Sequence, residues 1–203
     1  MSGLIVHAQR FMEDDRIHRM RLGLYGGSFD PPHVGHQLAM LFALATARID
    51  GLVMVPCFRH PFDKKLRPYA HRLEMSRLAA EPLGPLVEVS DIERRLGGES
   101  RTLNTIKALH AERPEARICL IIGADLLSER ERWYGYPEIE RLVDFIIVGR
   151  SGHTPPELGV EVTLPDVSSS EIRARLARGG DVSRLVPSSV VDYIAAHGLY
   201  RDA

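Results

Sequence analysis

Leu22-Gly23-Leu24-Tyr25-Gly26-Gly27-Ser28-Phe29-Asp30-Pro31-Pro32-His33-Val34-Gly35-His36 reads as a short apolar strand, a glycine turn and a helix start. Gly26 and Gly27 let the backbone approach a ligand closely. Pro31 and Pro32 favour a helix start whose first amide hydrogens have no intrahelical partner. Such a start attracts anions. His33 and His36 stand three residues apart, so a helix beginning near Pro32 or His33 places both imidazoles on neighbouring turns of one face, aimed at one anion.

Outward from this stretch, short apolar runs alternate with helical patterns. Leu22 to Tyr25, Leu52 to Pro56, Leu86 to Val89, Ile118 to Ile122 and Phe145 to Val148 read as strands. Helices are expected over Val34 to Arg48, Tyr69 to Ala80, Thr102 to Glu112 and Glu138 to Leu142, then over Ser170 to Ala177 and Ser188 to His197. This strict alternation predicts an α/β fold: a Rossmann-like parallel sheet covered by helices on both faces, with a C-terminal helical segment. Ligands bind such sheets beyond the carboxyl ends of the strands, where Gly26 already stands. Ser151 to Gly159 reads as a loop, and residues 1 to 20, without periodic pattern, as a weakly ordered arm ahead of a single domain over 21 to 203.

A chain of 203 residues with 44% hydrophobic content suits one compact domain. With 26 basic and 27 acidic residues the net charge is −1, so no global field draws it to nucleic acid or to an anionic membrane, and phosphate binding must be local. The longest apolar candidates, such as Leu38 to Ala47, fall short of the roughly 18 residues of a membrane span. Residues Met1 to Arg21 lack the apolar core of a secretory signal, so a soluble, cytoplasmic protein is expected. Cys57 and Cys119 are too few for a disulfide framework and read as inert core residues. The sequence leaves a homo-oligomer open.

The common phosphate loops GxxxxGK[ST] and GxGxxG are absent. What stands instead, GGSFDPPHVGH, resembles the signature of the HxGH nucleotidyltransferases. A second piece, Val167-Ser168-Ser169-Ser170-Glu171-Ile172-Arg173, resembles that superfamily's second motif, although Ser168 and Glu171 alone would also make a plain capping box. The likeness sharpens towards the bacterial nicotinate mononucleotide adenylyltransferases and covers most of residues 21 to 201. Arg72-Leu73-Glu74-Met75, Gly123-Ala124-Asp125, Trp133-Tyr134 and the tail from Leu185-Val186-Pro187 to Gly198-Leu199-Tyr200-Arg201 each look like a segment of that family. Pantetheine-phosphate adenylyltransferases share the first two motifs but are typically shorter. They remain the enzymatic alternative, and a nucleotide-sensing domain without turnover the non-enzymatic one.

The resemblance implies transfer of AMP from ATP to nicotinate mononucleotide, releasing pyrophosphate. It assigns His33, His36 and Arg173 to catalysis and Gly26, Gly27, Ser28, Phe29, Gly35, Gly123, Asp125, Ser168 and Ser169 to ATP. Helix-start amides, the serine hydroxyls and Arg173 would hold the triphosphate tail opposite the histidines. Lys64, Thr102 and Trp133 fall to the acceptor, with Trp133 stacked on its pyridine ring. Mg2+ is expected with the triphosphate, whose charge it neutralises, and no aspartate cluster suggests a protein cage for it. Asp30, ahead of Pro31, reads as an N-cap, with loop orientation or a metal-bound water as its other roles. Asp125, at a strand's carboxyl end, suits ribose hydroxyls or a helix cap. Two segments depart from the family pattern. Arg59-His60-Pro61-Phe62-Asp63-Lys64-Lys65 leaves open which of His60, Lys64 and Lys65 meets the acceptor phosphate. In Ser100-Arg101-Thr102 an arginine replaces an aromatic residue, which suits a carboxylate or merely an exposed helix start.

Overall fold

The computed structural model describes residues 20–60, 65–124, 132–150 and 163–201. Its strands are β1 (Arg21–Gly27), β2 (Gly51–Pro56), β3 (Val87–Val89), β4 (Arg117–Gly123), β5 (Asp144–Arg150) and β6 (Thr163–Leu164). They form a six-stranded sheet in the order β3-β2-β1-β4-β5-β6. Every pairing is parallel. The order reverses between β1 and β4, and that switch point is where an open α/β sheet parts to admit a ligand.

The helices are α1 (Val34–Thr46), α2 (Tyr69–Ala80), α3 (Ile92–Leu96), α4 (Thr102–Glu112), α5 (Tyr136–Leu142), α6 (Ser169–Ala177) and α7 (Ser188–Ala196). A 3-10 turn over Glu81–Leu86 links α2 to β3. Alternate residues of each strand serve opposite faces. Ile118, Leu120 and Ile122 of β4 pack with Leu22, Leu24, Val53 and Val55 beneath Leu103, Ile106 and Leu109 of α4 and Ile139 of α5. Cys119 and Ile121 point the other way, with Leu52 and Met54, under Ala39, Met40 and Ala43 of α1. A third cluster joins Met75 and Ala79 of α2 to Ile172, Val190, Ile194 and Tyr200, so the C-terminal helices are fastened to the sheet through α2.

The expected α/β sheet with helices on both faces and a C-terminal helical segment is therefore what forms. The five expected strands and six expected helices are present with small changes at their ends. β6 and α3 are additional: two and five residues are too short to display a period. The loop expected at Ser151 to Gly159 and the arm expected over residues 1 to 20, Met20 aside, lie outside the described residues.

Candidate active site

The turn after β1 is built around two rings. Helix α1 starts at Val34 with His33 as its N-cap, φ −145° and ψ 172°. The His33 amide donates to His36 Nδ1 at 3.1 Å. That bond caps the helix and requires a bare Nδ1, so the neutral His36 ring carries its proton on Nε2. The two imidazoles stack, with centroids 3.7 Å apart and planes 28° from parallel. Phe29 meets the His36 ring edge to face at 5.0 Å and is itself held at φ 47°. Gly35 leaves room for the His33 ring: a Cβ there would stand 3.0 Å from its Nδ1, and the ring would have to give way. Gly27 plays the same part for Phe29, whose ring lies 2.8 Å from the position of a Cβ.

Facing the histidines is the start of α6. Ser168 is its N-cap, and its Oγ accepts from the Glu171 amide at 3.1 Å. Ser169 Oγ donates to the Pro31 carbonyl at 2.9 Å, and Arg173 donates from one terminal nitrogen to the Asp30 carbonyl at 2.8 Å and from the other to Ser170 Oγ at 3.1 Å. Two residues assigned to phosphate thus also staple α6 to the histidine turn. A cavity of about 570 Å³ opens between the two helix starts, lined by Gly26, Gly27, Ser28, His33, Gly35 and His36 on one side and by Ser168, Ser169 and Ser170 on the other. Gly123, at the end of β4, lies on its floor. Both helix starts present the positive ends of their dipoles to it, although the Val34 amide of α1 is taken by the Leu185 carbonyl and the Glu171 amide of α6 by Ser168 Oγ.

Asp30 is not the N-cap that its place before Pro31 suggests. It is buried, with one carboxylate oxygen accepting from Tyr200 Oη at 2.6 Å and the other from the Arg67 amide at 3.3 Å. Both oxygens are thereby committed to orienting the loop. Tyr200 is fully buried too, and burial followed by the Asp30 charge pushes its pKa far above the ordinary tyrosine value. Arg67 covers the Tyr200 ring, 5.0 Å from its centroid. Arg72, buried in α2, donates to the carbonyls of Arg67, Ser28 and Cys57 at 2.9, 2.9 and 2.7 Å, tying the turn to the end of β2. Burial lowers its pKa, with the nearby Cys57 and Asp30 acting in opposition. Sequence reading placed Arg72 and Tyr200 in recognisable segments without giving them these duties, since only tertiary contact reveals which polar groups are buried.

The opposite end of the cavity is lined by His60, Arg101, Thr102, Trp133 and Tyr134. Trp133 leans, partly buried, on the core cluster that includes Leu103 of α4 and Ile139 of α5. Two residues on, Gly135 caps α5 at φ 68°, and a Cβ there would stand 2.5 Å from Leu103 Cδ2. Thr102 opens α4 after Arg101. Glu93 of α3 anchors this end: its carboxylate accepts from the Phe58 amide at 3.0 Å, from Thr105 Oγ1 at 3.0 Å and from Ser100 Oγ. No sequence signal pointed to Glu93, because α3 is too short to be read. Lys64 and Asp125 lie outside the described residues. Among the described residues no group of three or more His, Cys, Asp or Glu side chains could hold a metal ion.

The cavity's donors and its place at the switch point agree with what comparison with known proteins finds. A profile described as cytidylyltransferase-like matches residues 24–175. A protein of Anaeromyxobacter dehalogenans strain 2CP-C named "Probable nicotinate-nucleotide adenylyltransferase" is 47% identical over 183 residues, which covers 89% of this chain and 96% of the relative. One of the same name from Myxococcus xanthus is 39% identical over 182 residues, covering 89% and 95%. The chain belongs to the nicotinate-nucleotide adenylyltransferases. It is accordingly a nucleotidyltransferase, and neither the phosphopantetheine alternative nor the sensing domain matches the family that these relatives name. A solved structure described as Plasmodium falciparum nicotinic acid mononucleotide adenylyltransferase complexed with NaAD superposes with a TM-score of 0.77 at 21% identity, covering 89% of this chain and 97% of its own. That likeness carries the adenylyltransferase fold. Enzymes of this kind use ATP, generally with a divalent metal. In this adenylyltransferase no helix of the described residues is long and apolar enough to cross a membrane.

Proposed function

We propose that this protein transfers AMP from ATP to nicotinate mononucleotide, forming nicotinate adenine dinucleotide and pyrophosphate in NAD biosynthesis in the cytoplasm. The observation that carries the reading is the pair of helix starts, α1 with its stacked histidines and α6 with its serines, facing each other across one cavity. An oxygen of the acceptor's phosphate forms a bond to the α-phosphorus of ATP. The bond from that phosphorus to the α,β-bridging oxygen breaks, and pyrophosphate leaves with the electron pair. A phosphate monoester with a second pKa near 6 is mostly ionised at pH 7, so the nucleophile needs no general base. The site's task is alignment of two polyanions and stabilisation of the charge growing on them.

His36 supplies an Nε2–H donor because its Nδ1 is held by the His33 amide. His33 lies against it and shares the α-phosphoryl oxygens. Gly26, Gly27, Ser28, Phe29 and Gly35 shape the turn over which the triphosphate runs, while Gly123 meets the adenosine side and Asp125 is assigned to its ribose hydroxyls by the family resemblance alone. Ser168 keeps its hydroxyl proton to donate, having used only a lone pair for capping. Ser169, whose hydroxyl is engaged by Pro31, offers its amide instead. Arg173 brings its remaining N–H groups to the β and γ phosphates. Trp133 and Thr102 serve the acceptor's pyridine ring, and its phosphate falls to the basic loop after β2, to Lys64 or its neighbours His60 and Lys65. The donor set is hydroxyls, imidazoles and amides, and Asp30 is already committed, so Mg2+ would be carried in by the phosphates; it would neutralise charge between them. Titrating intrinsic fluorescence with nicotinate mononucleotide tests the acceptor end, since Trp133 is the sole tryptophan of the chain. A saturable change is expected, and an unchanged signal counts against stacking.

A further inference from the structure

The backbone of Arg101 is fixed from both sides. Its carbonyl accepts from the Asn104 and Thr105 amides at 2.9 and 3.2 Å, which anchors it to the first turn of α4. Just before it, Ser100 Oγ donates to Glu93 and accepts from the Phe58 and Arg59 amides at 2.9 and 3.2 Å. The Ser100 amide in turn donates to the Arg59 carbonyl at 2.8 Å. The side chain is directed as well. The guanidinium carbon lies over the Tyr134 ring, 5.7 Å from its centroid, and one terminal nitrogen meets Glu99 at 2.6 Å. Arg101 and Tyr134 line the same end of the cavity as Trp133 and Thr102.

Glu99 is a replaceable partner. Its side chain is 59% exposed and that of Arg101 34% exposed, and an ion pair so open to water is held weakly. It occupies one terminal nitrogen and leaves the rest of a planar fork of five N–H donors. Such a fork takes a carboxylate through two parallel bonds, with opposite charge reinforcing both. A carboxamide of the same shape brings no charge and turns an NH2 donor towards the guanidinium.

We propose that Arg101 is a specificity-determining residue that grips the carboxylate on the acceptor's ring and so separates acid from amide mononucleotides. The inference rests on the acceptor reading given above. The fixed backbone and the Tyr134 ring keep the guanidinium beside the aromatic wall before the acceptor arrives, and the exposed Glu99 yields its place to the acceptor's carboxylate. The incoming carboxylate then binds a preoriented cation.

The test compares wild type with Arg101→Gln and Arg101→Lys at saturating ATP. Nicotinate mononucleotide is followed as substrate, and nicotinamide mononucleotide as substrate or competing inhibitor. Arg101→Gln is expected to lower kcat/KM for the acid about tenfold or more, as loss of a charge-assisted fork implies, while the constant for the amide stays within about twofold. Arg101→Lys, which keeps the charge without the fork, is expected to fall between. An equal loss for both acceptors, or no loss for the acid, overturns the proposal while leaving adenylyl transfer intact. A wild-type protein that adenylylates neither mononucleotide sinks the functional reading and this inference together.

Discussion

At the scale of single residues, the site is tuned by which nitrogen of His36 is left to donate. The His33 amide occupies Nδ1, which leaves Nε2–H as the donor of the neutral ring, the role proposed for it towards the α-phosphoryl oxygens. Removing one preorganised donor of this kind costs on the order of 3 kcal/mol in the transition state, so His36→Ala should lower kcat about 100-fold or more. Steady-state kinetics near wild type would contradict the assignment. Gly35→Ala separates position from stability. The new Cβ would press on the His33 ring at 3.0 Å, while alanine is a better helix former than glycine by about 1 kcal/mol. Turnover is expected to fall at least about tenfold, the 1.4 kcal/mol equivalent of a displaced donor, with little change in Tm. Unchanged turnover would show that the ring tolerates displacement. The histidine pair was legible because glycines, prolines and a three-residue spacing are local signals. The committed carboxylate of Asp30 was not, since the partner that claims it is Tyr200, 170 residues away.

Among elements, the decisive join is between the histidine turn and the C-terminal helices. Ser169 and Arg173 grip successive carbonyls of the turn from α6, and Tyr200 beyond α7 grips Asp30. Tyr200→Phe leaves a buried carboxylate oxygen without its donor. Chemical denaturation should register a loss of about 1–3 kcal/mol, and an unaltered midpoint would refute the tie. The central strand β4 makes a different prediction. Burial pushes the Cys119 thiol up to about 11, so at pH 8 only about one molecule in a thousand carries the thiolate there. Maleimide should spare Cys119 in the native protein and modify it after unfolding, as read by mass spectrometry; equal rates in both states would contradict its burial. Long elements with a clear period, β4 and α4 among them, could be read from sequence. α3 and β6 could not, and Glu93, which ties Phe58, Ser100 and Thr105 together, was hidden with α3.

Across the whole molecule, chain order and sheet order cooperate. The 3-2-1-4-5-6 arrangement parts the crossovers between β1 and β4. The cavity lies beyond the strand ends there, with the two helix starts at one side and Trp133, Tyr134 and Arg101 at the other. Alternation of strands and helices made this architecture readable from sequence, and the paired motifs pointed to the two helix starts. Their distance across the cavity, and the staples between them, belong to the folded state alone. In the proposed reaction the acceptor's phosphate attacks the α-phosphorus of ATP. The most direct measurement of that attack incubates the wild-type protein with nicotinate mononucleotide and ATP labelled at either the α or the γ position. The α label should appear in nicotinate adenine dinucleotide and the γ label in pyrophosphate. Label from the γ position in inorganic phosphate or in the acceptor, or no transfer of the α label, would rule out attack at the α-phosphorus.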